Sequence, residues 1–158
     1  PRKAQTCLHG AIVGPTVDKL ALAKAAAEVM WREDNASKWL GMKIEEVRPG
    51  YARLSMTVTA NMVNGHNLCH GGLIFTLADS TFAFACNSHN QRAVAAGCAI
   101  EFLAPAFLGD VLTAEGVEQA LRGRTGVYDM KVTNQNNELI AVFRGKSATI
   151  KGLLVEET

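Results

Sequence analysis

From Tyr51 to Ala60 the chain alternates, with Ala52, Leu54, Met56, Val58 and Ala60 on one side and Tyr51, Arg53, Ser55, Thr57 and Thr59 on the other. A period of two is the mark of a strand with one buried face. Upstream, Leu20, Ala23, Ala27, Met30 and Trp31 recur at helical spacing among Lys19, Lys24 and Glu28. This predicts a helix over Val17 to Asn35, capped by Asp18 or Thr16. Ile44 and Val47 belong to a short strand closed by the Pro49–Gly50 turn. Asn61 to Asn67 reads as a polar loop.

From His70 to Cys86 the pattern changes. After Gly71–Gly72 nearly every position is apolar or small, which predicts a helix buried on almost all sides. A curved sheet wrapped around it is the simplest cover in a small domain. The rest of the chain supplies strands at Arg92 to Leu103, Asp110 to Leu121, Thr125 to Thr133 and Leu139 to Ile150. Turns at Arg122–Arg124 and Asn134–Asn137 make this an antiparallel meander. The expected fold class is α+β, one long helix in an antiparallel sheet.

Composition narrows the functional classes. The chain has 158 residues, 48% hydrophobic and 20% charged, with a net charge of +1. It is long enough to bury a core unaided, and it has no basic excess to draw it to nucleic acid or a membrane surface. No apolar run is long enough to span a bilayer. Cys7, Cys69, Cys86 and Cys98 form no C-x-x-C pair and are expected as reduced thiols in a cytoplasmic protein. Pro1 to Pro15 is expected to be a loose arm, and residues 1–38 an arm and helix preceding a single domain over 39–158.

Asp79 is the most unusual residue, a lone carboxylate in the middle of the apolar helix. Burying it is unfavourable unless it is paired, so either nearby hydroxyls such as Thr76 and Ser80 satisfy it or it has a task. The helix start is the second feature. His70-Gly71-Gly72 presents backbone N–H groups with no intrahelical partner, in the partial positive charge of a helix N-terminus. That suits a developing oxyanion, or simply a tight entry into a buried helix. Asn64, His66, Asn67 and His70 lie just before it; Asn64 is placed to hold a water or a carbonyl, or to shape the loop. His66, Cys69 and His70 match no standard zinc spacing, so no metal is expected. No nucleophile elbow is present.

Gly71 and Asp79 are eight residues apart on the predicted helix, about 12 Å along its axis. One carbonyl cannot touch both. If both act on one substrate, they come from two copies of the helix, and the site lies on a two-fold interface.

The run Asn64-Gly65-His66-Asn67-Leu68-Cys69-His70-Gly71-Gly72, followed by Leu77-Ala78-Asp79, resembles the hotdog-fold thioesterases of the phenylacetic-acid-degradation type. The similarity extends from about Trp39 to Gly152, through Gly126-Val127-Tyr128-Asp129 and Phe143-Arg144-Gly145-Lys146-Ser147. The resemblance implies a five- or six-stranded sheet around the helix and a homotetramer, a dimer of dimers. It implies hydrolysis of acyl-CoA, in particular phenylacetyl-CoA or its ring-hydroxylated forms, with CoA as part of the substrate and no separate cofactor. It gives the Gly71 N–H the thioester carbonyl, a partner's Asp79 the attack or the activation of water, and Asn64 and His70 positioning roles. Some relatives carry a serine early in the strand after the helix; here Ala93 to Gly97 has no hydroxyl.

Arg122, Arg124, Arg144, Lys146 and Lys151 are available for the CoA phosphates, and Arg124, Thr125 and Arg144 are the chosen candidates. Phe75, Phe82, Phe84 and Phe102 are core by default or line an aromatic pocket. The alternatives are a non-catalytic acyl-CoA-binding hotdog module and an enoyl-CoA hydratase.

Overall fold

The computed structural model describes residues 18–156, so the expected arm over Pro1 to Pro15 lies outside the described residues. Helix α1 (Lys19–Glu33) opens on Asp18, whose carboxylate accepts from the N–H groups of Leu20 and Ala21 at 3.0 and 3.2 Å. Its buried stripe is Ala23, Ala26 and Ala27. These small residues let it sit close to the sheet edge and to the central helix. Where one helix was expected to run to Asn35, Asp34 ends α1 and caps a second short helix, α2 (Asn35–Trp39), accepting from Ser37 N–H at 2.9 Å.

Strands β1 (Lys43–Arg48) and β2 (Tyr51–Thr57) form the first hairpin. The alternating side of β2 enters the core as expected, but the other side is not free. Tyr51 and Ser55 are buried as well. The Arg48 guanidinium stacks 3.8 Å from the Tyr51 ring, and Ser55 Oγ donates to Glu45 at 2.5 Å. A 3-10 turn at Ala60–Met62 stops β2 short of Ala60.

Central helix α3 (Gly71–Asn87) is followed by β3 (Gln91–Phe102), β4 (Val111–Arg122), β5 (Thr125–Thr133) and β6 (Leu139–Leu153). All pairs are antiparallel, in the order β1-β2-β4-β5-β6-β3. The meander expected for all the later strands therefore holds only for β4-β5-β6. β3 leaves α3 on the far side of the sheet and pairs with β6, while the segment after Phe102 returns to lay β4 beside β2. The turns were legible. Gly123 (φ +57°) makes the tight β4–β5 connection, and Asn137 (φ +59°) closes the β5–β6 loop.

The sheet curls around α3. Ile74, Leu77, Ala78, Phe82, Phe84 and Ala85 are buried against it. Phe82 sits among Tyr128 and Phe143, at 5.7 and 6.0 Å between ring centroids. Phe82 and Phe84 are thus core, and Phe75 packs edge-on to Phe143 at 5.2 Å. The cover is incomplete, however. Gly72, Thr76, Asp79 and Ala83, at intervals of four, three and four, are not buried. They form one open stripe down a helix that the sequence pattern predicts to be buried almost all round. β3, beside that stripe, is exposed at most positions and forms one edge of the sheet.

Candidate active site

The open stripe carries Asp79, and its surroundings decide between the two readings of that carboxylate. Neither hydroxyl on its face satisfies it. Thr76 Oγ donates to the Gly72 carbonyl at 2.7 Å, and Ser80 Oγ meets Ser37 Oγ at 2.8 Å. Ser37 in turn donates to Asp34 at 2.7 Å, so the Ser80 proton points away toward Ser37. Among the described residues, the polar contact recorded for the Asp79 side chain is the Cys98 thiol on β3, 3.9 Å from Oδ1. Burial raises the Asp79 carboxyl above the ordinary carboxylate value, and the Cys98 S–H draws it back somewhat. The carboxylate is thus half-buried, weakly held and turned into a cavity of about 390 Å³ between α3 and β3.

Two turns earlier, α3 begins. The His70 side chain caps it, its Nδ1 accepting from Gly72 N–H at 2.9 Å. The His70 carbonyl takes the N–H groups of Leu73 and Ile74, at 2.9 and 3.4 Å. Among the described residues this leaves Gly71 as the first-turn N–H with no recorded acceptor. A Cβ at Gly71 would meet Phe102 Cζ at 3.0 Å, so the glycine lets an aromatic ring rest on the backbone. Phe102, half exposed, is therefore part of this region and not of the core. Asn64, Gly71, Ile74, Phe102 and Leu103 share a second cavity of about 450 Å³.

Asn64 lines the same cavity as Gly71, but its Oδ1 is already committed. It accepts from His66 and Leu68 N–H at 2.9 and 3.2 Å, which shapes the loop. Its amide N–H groups make no bond among the described residues and are what it can offer a ligand. His66, Cys69 and His70 do not gather: Cys69 is buried, its thiol facing the His70 carbonyl at 3.8 Å. Among the described residues no group of three His, Cys, Asp or Glu is placed to hold a metal ion. Cys69, Cys86 and Cys98 are free thiols, and burial pushes that of Cys86 up to about 12.

The three residues chosen for the CoA phosphates are not brought together. Arg144 makes a two-pronged pair with Asp129, 2.6 and 2.7 Å, which holds the Asp129 carboxyl below its usual range. Arg124 Nε donates to the Thr149 carbonyl at 2.9 Å, near Thr125 at the hairpin. Thr125 pairs with Ala148 and Asp129 with Arg144, a separation of about 13 Å along the ladder.

Gly71 and Asp79 lie on one unbroken helix, and the 12 Å expected between them stands. Within a protomer they open into different cavities. An unbonded helix-start N–H and a weakly held carboxylate, carried by a helix in a wrapped antiparallel sheet, are suited to acyl transfer. Membership follows from comparison with known proteins: the chain belongs to the thioesterase superfamily, whose profile matches residues 66–141.

Among individual relatives, it is 47% identical to the acyl-coenzyme A thioesterase PaaI of Escherichia coli (strain K12) over 131 residues, 83% of this chain and 94% of that protein. The solved structure of the E. coli PaaI protein, from the phenylacetic acid degradation operon, superposes with a TM-score of 0.81, covering 84% of this chain and 98% of that one. A hypothetical thioesterase protein from Streptococcus pneumoniae TIGR4, solved with coenzyme A, is 27% identical with a TM-score of 0.68, over 71% of this chain and 90% of that one. No helix among the described residues is long and apolar enough to cross a membrane.

Proposed function

We propose that this thioesterase hydrolyses acyl-CoA, with phenylacetyl-CoA or its ring-hydroxylated forms as the class of substrate, to the free acid and CoA. The observation that carries this reading is Asp79, a carboxylate on the open stripe of α3 whose neighbouring hydroxyls are engaged elsewhere. The E. coli relative named as an acyl-CoA thioesterase supports the substrate class.

In the proposed site, two copies of α3 meet with their open stripes and β3 edges together. The Gly71 N–H of one copy donates to the thioester carbonyl oxygen, which gathers negative charge as the carbon becomes tetrahedral. Asp79 of the other copy takes a proton from water as the water oxygen bonds to that carbon. The C–S bond then breaks, and the departing sulfur receives the proton from Asp79, leaving acid and free thiol. The amide of Asn64 and the ring of His70 position the groups around the carbonyl. Arg124, Thr125 and Arg144 are assigned to the CoA phosphates, Arg144 by exchanging its exposed Asp129 partner. The assembly is a dimer of dimers acting in the cytoplasm, with no metal or separate cofactor.

The test is release of free thiol from phenylacetyl-CoA by the wild type and by Asp79→Asn, matched for folding and oligomeric state. Turnover by the wild type and a loss on the order of 10³-fold or more in the variant are expected. Absence of thiol release from a panel of acyl-CoAs would leave a binding module in place of an enzyme.

A further inference from the structure

Resting on that reading, we infer that the acyl group lies in the protomer that supplies Asp79, in an apolar channel running along α3 toward its C-terminus, and that Leu154 is the stop that sets its length.

The channel is the cavity of about 390 Å³ that Asp79 faces. On α3 its wall is Asp79, Phe82, Ala83 and Cys86, at i, i+3, i+4 and i+7, one continuous face about 10 Å long. Ala93, Val94 and Ala95 of β3 form the facing wall. Two fixed points orient it. Cys98 meets Asp79 at 3.9 Å at one end, and Asn87 clasps Ala93 at the other, accepting its N–H at 2.9 Å and donating to its carbonyl at 3.0 Å.

The far end is bounded by built structure. The β3–β6 register pairs Ala93 with Thr149, which brings Ile150 alongside, and the chain then leaves β6 to place Leu154 across the end. This tail is fastened by fully buried Asn90. Its Oδ1 accepts from the N–H groups of Leu154 and Val155 at 3.2 and 2.8 Å, and its amide donates to the Val155 carbonyl at 2.8 Å. Arg92 Nε adds a bond to the Leu153 carbonyl at 3.0 Å. The side wall is Met30 of α1. The α1–α2 corner is tied to α3 through Asp34, Ser37 and Ser80, with Ser37 buried. A wall tied by hydrogen bonds to the core defines a size limit, which a loose tail would not.

The chemistry of the lining names the ligand. Between Asp79 and Leu154 the one amide, Asn87, is bonded to Ala83 and Ala93, and the Cys86 thiol is held protonated against the Ala83 carbonyl at 3.5 Å. Arg92 also lines the far end, its Nε bonded to the Leu153 carbonyl at 3.0 Å, and the rest of the wall is alkyl and aromatic carbon. Such a slot takes an aryl-acetyl or straight alkyl acyl group, and one methylene too many in a hydrophobic slot changes selectivity by about 10–200-fold.

The experiment measures kcat/KM for butyryl-, hexanoyl-, octanoyl-, decanoyl- and phenylacetyl-CoA with the wild type, Leu154→Ala and Leu154→Phe. The ratio of decanoyl- to hexanoyl-CoA is expected to rise at least about tenfold in Leu154→Ala and to fall in Leu154→Phe. A folding defect would lower all substrates together and would not move the ratio in opposite directions. Thiol release by all three proteins with unchanged ratios overturns this assignment and leaves the thioesterase reading intact. No release by the wild type overturns both.

Discussion

Gly145→Ala offers a sharp test of how α3 is held against the sheet. Gly145 lies in β6, bonded on one side to β5 opposite Tyr128 and on the other to β3 opposite Cys98. A methyl group there would meet three atoms of the Phe82 ring, Cδ2, Cε1 and Cε2, all at 2.8 Å. Carbon atoms rest at about 3.5–4.0 Å, so ring and methyl must part by roughly 1 Å. Neither can do so cheaply. β6 is fixed by ladders on both sides, and Phe82 is 1% exposed, enclosed by Tyr128 and Phe143. Overpacking of this kind destabilises by about 1–3 kcal/mol. Loss of unfolded-state freedom on replacing glycine offsets about 0.4–1 kcal/mol. The net expectation is about 1–2 kcal/mol of destabilisation, read from urea unfolding as a lower midpoint at unchanged m. Phe82→Leu should relieve the clash, so the double variant is expected to be more stable than the sum of the two singles by about 1 kcal/mol. A Gly145→Ala unfolding free energy within about 0.5 kcal/mol of wild type, or strict additivity with Phe82→Leu, would refute the packing argument.

Two further expectations concern Asp79. Burial raises its carboxyl, so the folded state holds the proton more tightly than the unfolded chain does, and ionisation works against folding. That penalty is absent below the unfolded-state value, grows as pH rises toward the folded-state value and is complete above it. Asp79→Asn is therefore expected to unfold at a higher temperature than wild type at neutral pH, with the difference shrinking as pH falls into the acid range; a constant difference in scanning calorimetry from neutral to acid pH would contradict this. The Cys98 S–H favours the ionised carboxylate, so Cys98→Ala should move the acid limb of the kcat/KM profile to higher pH, while Cys98→Ser keeps a donor and should not. An acid limb unmoved in Cys98→Ala would remove Cys98 from any role in positioning Asp79.

The elements that pattern could reveal are those whose burial follows their own sequence. The apolar run of α3 and the β5 strand from Thr125 to Thr133 appear where the periodicity places them, and the strand read over Tyr51 to Ala60 begins at Tyr51 but ends at Thr57. Gly71 and Asp79 were legible for the same reason, one as a glycine at a helix start and the other as a charge in apolar surroundings. What was hidden depends on partners distant in sequence. Nothing local says that β3 joins β6 instead of β4, since that choice belongs to the path of the whole sheet. The engagement of Arg144 by Asp129 and of Asn64 Oδ1 by its own loop withdraws groups that composition alone counts as available. Cys98 and Leu154 carried no signal of their own, and Met30 was legible only as an apolar position of the first helix. Their places, Cys98 at Asp79 and the other two on the cavity it faces, are set by the register of β3 against α3, by the α1–α2 corner and by the tail beyond β6. The run Ala93 to Gly97 without a hydroxyl drew attention to the right strand, and the polar group that does reach Asp79 is the next residue, Cys98.

The length of α3 between Gly71 and Asp79 has a genetic consequence. If each working site draws one residue from either chain of a pair, a chain defective only at Asp79 spoils only the site to which it contributes that residue. In a mixed population, activity then falls in proportion to the fraction of intact chains. A chain defective at both positions spoils two sites in every pair it enters, and activity falls as the square of that fraction. Two lesions on one polypeptide would thus be dominant where either alone is not, a behaviour set by about two turns of helix.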